Sequence, residues 1–135
     1  MTPLCEISRK YGTDKGGVME PYPNHRANMF HDYTPVYWQM LESWRSEVRS
    51  VLEIGVADDR STRMWAEFFG NARIVGFDIR EECLIKENRI RTFYCDQSKP
   101  KSLYKAYEAA GGGLYDVIID DGSHIYDHQR KEMPV

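Results

Sequence analysis

The sequence has little cysteine: Cys5, Cys83 and Cys95 are its 3 cysteines in 135 residues. Their number is odd, they are widely spaced, and no C-x-x-C pair occurs. Disulfide-framed secreted domains and zinc ribbons depend on dense or paired cysteines, so this pattern argues against both classes. The cysteine usage is typical of a protein in a reducing compartment.

Long apolar runs are also lacking. No stretch reaches the roughly 20 apolar residues that a membrane-spanning helix needs. The segment Met1–Glu6 does not show the basic and then apolar pattern of a signal peptide. We therefore expect a cytoplasmic protein.

The chain has no excess of positive charge, with 18 Lys and Arg against 21 Asp and Glu and a net charge of −3. The two signs are interspersed, so the sequence predicts neither a nucleic-acid partner nor an anionic-membrane anchor and favours small-molecule chemistry. The length predicts one domain, which is small for a complete α/β enzyme.

The N-terminal part is rich in Gly, Pro, Asn and charge between residues 11 and 28, so we predict a loop there. Thr34 can then cap a helix that has Pro35 at its first position. A stripe at helical spacing is expected to face the core: Val36, Tyr37, Met40, Leu41 and Trp44.

Strands then alternate with helices. The predicted strands are Val51–Val56, Arg73–Asp78, Thr92–Cys95 and Asp116–Asp120, and the predicted helices are Ser61–Phe69, a short one near Glu81–Glu87, and Ser102–Ala110. This alternation predicts a parallel sheet with helices on both faces. Ligands bind such a sheet at the carboxyl ends of its strands.

Acidic residues stand at these strand ends. Asp120-Asp121-Gly122-Ser123-His124 follows an apolar run, where titratable groups are costly to hold without a function. An ordinary Asp-Gly turn is the alternative. Because Glu53-Ile54-Gly55 ends another strand of the same predicted sheet, both motifs are expected to face one crevice.

Asp78 lies a little over twenty residues after Gly55, close to the offset at which a carboxylate accepts both ribose hydroxyls of an adenosine cofactor. A surface aspartate in a loop is the alternative. The segment Val56–Ser61 lacks the close-packed glycines of a dinucleotide site and carries two aspartates, which disfavour pyrophosphate. It therefore favours S-adenosylmethionine over NAD, although Arg60 offsets part of the negative charge.

Taken together, the motifs resemble the macrocin O-methyltransferase group, class I S-adenosylmethionine-dependent enzymes that methylate sugar hydroxyls of macrolides and related glycosides. The resemblance covers nearly the whole chain from Tyr11 onward. It rests on Tyr11-Gly12-Thr13-Asp14-Lys15-Gly16, His31-Asp32-Tyr33 with Tyr37, Leu52-Glu53-Ile54-Gly55-Val56, Ser61 with Arg63-Met64-Trp65, Gly76-Phe77-Asp78-Ile79, Asp96-Gln97-Ser98, and Ile118-Ile119-Asp120-Asp121-Gly122-Ser123-His124 with His128-Gln129.

The resemblance implies a Rossmann-like sheet of strand order 3-2-1-4, an N-terminal loop or lid over residues 1–33, and a partial S-adenosylmethionine-binding domain over residues 34–135. It also implies residue roles. Glu53 and Gly55 would lie under the methionine part of the cofactor, Asp78 would hold the ribose, Asp96 and Gln97 would border the adenine, Asp120 would belong to the cofactor site, Asp121 would bind Mg²⁺, and His124 would be the general base.

These roles form a coherent chemistry. A magnesium ion contacting the sugar hydroxyl lowers the pKa of that hydroxyl, and an imidazole takes the proton as the oxygen attacks the methyl group. A rival interpretation treats His124 and His128 as zinc ligands together with Asp120 or Asp121.

The chain departs from the family in three places. Asp59 and Arg60 stand where the family usually has glycine, Cys95 replaces another glycine, and the chain ends at Val135, before a strand that bears further magnesium ligands. We therefore expect the apolar run 117–119 to form an exposed sheet edge, and the polypeptide to self-associate or to be completed by another chain. The alternative function is a non-catalytic Rossmann-like binding or assembly module.

Overall fold

The structure, a computed structural model, describes residues 2–13, 34–56, 60–81 and 84–121. Its helices are α1 (Pro3–Tyr11), α2 (Thr34–Leu41), α3 (Arg60–Phe68) and α4 (Pro100–Ala109), and a short 3₁₀ turn (Glu42–Trp44) follows α2. Its strands are β1 (Ser50–Ile54), β2 (Arg73–Asp78), β3 (Lys86–Glu87), β4 (Ile90–Tyr94) and β5 (Val117–Asp120). None of the described helices is both long and apolar enough to cross a membrane.

One sheet of order β3-β4-β2-β1-β5 organises these elements. Strands β4, β2, β1 and β5 are parallel to their neighbours, and β3 is antiparallel to β4. The four parallel strands confirm the predicted order 3-2-1-4. All five residues of β1 are buried, as expected for the centre of a sheet that is covered on both faces.

Alternate side chains along the strands pack into two apolar layers, one on each face of the sheet. Val51 faces the layer built with α1 and α3, where Trp65, Phe68 and Phe69 are almost completely buried. Leu52 faces the opposite layer, to which α4 contributes Ala106. The carboxyl ends of the strands are therefore fixed between two packed layers of helices.

Residues 3–11 correct the expectation of a loop over residues 1–33, because they form helix α1. Thr2 Oγ1 accepts a hydrogen bond from Cys5 N at 3.2 Å and Pro3 occupies the first turn, which are favourable features at a helix start. Gly12 ends the helix in the left-handed conformation at φ 68°. The apolar face of α1 buries Leu4 in the core, and residues 14–33 lie outside the described residues.

The helix predicted near Glu81–Glu87 is wrong at its C-terminal end. Lys86 and Glu87 form β3, which pairs with Arg91 and Ile90 of β4. Asn88 takes a positive φ of 44° in the connecting turn, a conformation that asparagine tolerates better than most residues. A hairpin therefore replaces the last turn of the predicted helix.

The stripe predicted on α2 is only half correct. Leu41 is buried and the Tyr37 ring meets Trp65 edge-on at 5.3 Å. Val36, Met40 and Trp44 are exposed. These three residues are four apart and share one side, whereas only the neighbouring side that carries Tyr37 and Leu41 reaches the core.

Candidate functional site at the carboxyl edge of the sheet

The parallel pairing brings the ends of four strands to one edge of the sheet. Ile54 of β1 lies opposite Phe77 of β2 and Asp120 of β5, and Asp78 lies opposite Tyr94 of β4. The polar residues that end or follow these strands therefore share that edge, as the sequence predicts. They are Gly55, Asp78, Asp96, Gln97, Asp120 and Asp121.

Gly55 turns the chain sharply at the end of β1. Its φ is 86°, a left-handed value that glycine adopts at little cost. Its N–H donates to the Phe77 carbonyl at 2.8 Å, and the Val56 N–H donates to the same oxygen at 3.4 Å. The backbone is thus drawn across the end of β2, next to Asp78.

The Asp78 carboxylate is largely buried at the end of β2. Its Oδ1 accepts a hydrogen bond from the Arg80 N–H at 2.8 Å, and the Arg80 Nε lies 3.6 Å from the same oxygen. The Asp78 carbonyl accepts from the Cys95 N–H at 2.9 Å. The carboxylate is therefore held in a fixed orientation at the edge.

Asp96 organises the turn that joins β4 to α4. Its Oδ1 accepts hydrogen bonds from the Ser98 Oγ at 2.6 Å and the Ser98 N–H at 3.0 Å, and the Lys99 Nζ lies 3.6 Å from Oδ2. These hydrogen bonds from Ser98, aided by the charge of Lys99, hold the pKa of Asp96 below its ordinary value. The residue is thus an ionised carboxylate near neutral pH.

Asp121 is tied to β1, because its N–H donates to the Ile54 carbonyl at 2.8 Å. Asp120, one residue earlier, is exposed. His124 and His128 lie outside the described residues. Within the described part of the chain no three His, Cys, Asp or Glu side chains group as metal ligands, so neither the magnesium site nor the zinc alternative is tested.

Glu53 is completely buried. Its Oε1 accepts a hydrogen bond from the Ser61 Oγ at 2.5 Å and its Oε2 accepts one from the Trp65 Nε1 at 2.9 Å. Sequence reasoning missed both partners. The available signal was their i, i+4 spacing, which puts them on one face of α3.

Two of the departures from the family have a structural explanation. The Arg60 Nη1 donates to the Gly12 carbonyl at 3.2 Å, so the guanidinium extends towards the end of α1. Cys95 is buried in the layer between the sheet and α4, where it packs as a small apolar residue. Asp59 lies outside the described residues.

Comparison with known proteins identifies sugar O-methyltransferases as relatives, although no protein-family profile matches the chain. The chain is 36% identical over 134 residues to demethylmacrocin O-methyltransferase of Streptomyces fradiae. This match covers 94% of this chain and 31% of that protein. It is also 36% identical over 134 residues to mycinamicin VI 2''-O-methyltransferase of Micromonospora griseorubida, covering 94% of this chain and 30% of the relative.

Solved structures give the same result. The chain matches the MycE methyltransferase of the mycinamycin biosynthetic pathway, in complex with Mg, SAH and mycinamycin VI, with a TM-score of 0.78 and 35% identity. The match covers 97% of this chain and 34% of that one. The chain thus spans about a third of the relatives it matches. By sequence and by fold it is homologous to the N-terminal part of the macrocin-type sugar O-methyltransferases, which are S-adenosylmethionine-dependent class I methyltransferases.

Proposed function

We propose that this chain carries the S-adenosylmethionine-binding part of an O-methyltransferase that acts on a hydroxyl of a sugar or a glycosylated small molecule. One observation carries the proposal. Gly55, Asp78 and Asp96 share the carboxyl edge of a parallel sheet, where ligands bind in this architecture. The homologous MycE structure contains Mg, SAH and mycinamycin VI.

The described residues fit the cofactor. The oriented Asp78 carboxylate can accept hydrogen bonds from the two ribose hydroxyls. This agrees with the role that the sequence distance between Gly55 and Asp78 predicts. The left-handed turn at Gly55 leaves no side chain above the end of β1, where the methionine part would lie. Asp96 and Gln97 follow β4 and would border the adenine.

When bound, S-adenosylmethionine supplies an activated methyl group on its sulfonium. The residue proposed as general base is His124, which would accept the hydroxyl proton as the acceptor oxygen attacks that methyl group. Asp121 remains a proposed neighbour of the reacting centre, and Asp120 remains a proposed part of the cofactor site. In the described part of the chain, Asp121 is the residue proposed to bind Mg²⁺.

The test is calorimetric titration with S-adenosylhomocysteine, with and without Mg²⁺, of the wild type and two variants. Asp78→Ala is expected to weaken binding about tenfold or more, because two charge-assisted hydrogen bonds are lost. His124→Ala is expected to bind nearly as well as the wild type but to turn over about a hundredfold or more slowly once an acceptor is known. Unaltered affinity in Asp78→Ala would contradict the proposed site.

A second candidate function, a non-catalytic binding or assembly module, is favoured by the surface around β5. Among the described strands none pairs with the outer edge of β5, and the side chains of Ile118 and Leu114 are 60% and 93% exposed. An apolar groove of about 570 Å³ lies beside this edge, between the sheet and α4. Such a surface is suited to contact with another chain.

A further inference from the structure

The buried carboxylate of Glu53 connects β1 to α3. Glu53 stands two residues before Gly55, and its side chain extends to the α3 face of the sheet. There its two oxygens contact Ser61 and Trp65, which are one helical turn apart. The carboxylate therefore lies beneath the first turn of α3.

These contacts stabilise a charge that would otherwise be costly. A buried carboxylate without hydrogen-bond donors is strongly destabilising. The two observed donors satisfy one oxygen each, and the nearby N-terminus of α3 favours negative charge. Removal of either donor therefore removes one of the hydrogen bonds that stabilise the buried Glu53 carboxylate.

Trp65 is itself a rigid donor. Its ring stacks on Phe69 with centroids 5.9 Å apart and meets Tyr37 edge-on at 5.3 Å. The indole N–H therefore has one orientation, towards Glu53 Oε2. As a result the carboxylate is fixed relative to both β1 and the helices packed on it.

The Glu53 contacts also fix one end of the connection between β1 and α3. At the β1 end, the Gly55 and Val56 N–H groups donate to the Phe77 carbonyl. At the α3 end, Ser61 donates to Glu53. Both ends of this connection are thus held on adjacent strands at the edge where the cofactor would lie.

We propose that Ser61 and Trp65 are positioning residues of the cofactor site and act through Glu53, whose carboxylate orients α3 from beneath and does not touch the cofactor. The inference rests on the proposed function. It assigns roles to two residues for which composition and strand-end position give no reason. It also moves Glu53 from direct contact with the methionine part to an indirect role.

A double-mutant cycle tests this inference on the full chain. Ser61→Ala, Trp65→Phe and Glu53→Gln are titrated with S-adenosylhomocysteine singly, and the first two also in the Glu53→Gln background. Ser61→Ala and Trp65→Phe are each expected to weaken binding about fivefold in the wild type, and much less in the Glu53→Gln background. Ser46→Ala and Trp44→Phe, at exposed positions, are the matched controls and are expected to bind like the wild type.

Thermal unfolding of the same variants separates a positioning role from a structural one. Coupling with Glu53 in both the unfolding midpoint and the affinity supports the inference. Coupling in the midpoint alone, with unaltered affinity well below the midpoint, overturns it. Absence of binding by the wild type would instead overturn the proposed function, and this inference with it.

Discussion

Gly76 occupies a point of close approach on β2, between Glu53 of β1 and Thr92 of β4. A Cβ at this position would overlap Val56 Cγ2 and would lie 2.9 Å from Thr92 Cγ2. Val56 belongs to the turn after Gly55. The absence of a side chain at position 76 therefore lets Val56 pack directly against β2. The packing of one residue is thus linked to the geometry of the candidate site.

Gly76→Ala is therefore expected to lower the free energy of unfolding by about 1–3 kcal/mol, the usual cost of overpacking a core. Gly70→Ala is the matched control, because a Cβ there meets no atom within 4 Å. Urea unfolding of both variants checks the prediction. Equal stability of the two variants would show that the close approach at Gly76 is relieved without cost.

At the level of single residues, the sequence predicts the acidic strand ends but not their partners. Asp78 and Asp96 stand at the predicted edge because strand ends can be read from apolar runs and parallel pairing follows from the alternation of elements. The bond from Trp65 to Glu53 depends on how α3 rotates on the sheet. That rotation is decided by packing with Phe69 and Tyr37, which no local pattern encodes.

Arg60 connects two elements, α3 and α1. It is the first residue of α3, where a positive charge is unfavourable to the helix dipole. Its guanidinium reaches the Gly12 carbonyl just after the C-terminus of α1, where a positive charge is favourable. Arg60 thus bridges the ends of two packed helices.

Arg60→Met removes this donor and keeps most of the side-chain stem. It is expected to lower the free energy of unfolding by about 0.5–1 kcal/mol, since the hydrogen bond is exposed. Arg60→Lys, which keeps the charge, is expected to lose less. Chemical denaturation of the three proteins measures the difference, and a methionine variant as stable as the wild type would contradict the bridging role.

Elements with a clear pattern of apolar and polar residues are predicted well from the sequence. Elements without such a pattern are not. Helix α3 and strand β2 are predicted to within one residue because buried apolar residues and polar boundaries define them. The antiparallel strand β3 is missed because it consists of only two exposed residues and depends on pairing with β4. The exposure of Val36 and Met40 on α2 is missed, because the spacing of apolar residues alone does not determine which side of a helix packs against the core.

At the scale of the whole molecule, the edge of β5 that no described strand covers leads to a prediction about assembly. The exposed Ile118 and the groove beside it are expected to bring two copies of this 135-residue chain together, or to bind another chain that covers them. Sedimentation velocity at micromolar concentration measures this. An Ile118→Lys variant is expected to shift the protein towards the monomer, and a strictly monomeric wild type would contradict self-association.

The most direct test of the central claim is a titration of the ¹⁵N-labelled chain with S-adenosylhomocysteine, followed by amide chemical shifts. If the carboxyl edge of the sheet binds the cofactor, saturable shifts cluster there, at Gly55, Val56, Ile79 and Gln97. Absence of shifts, or shifts confined to the groove residues Leu103, Tyr104 and Leu114 on the α4 face, would contradict it.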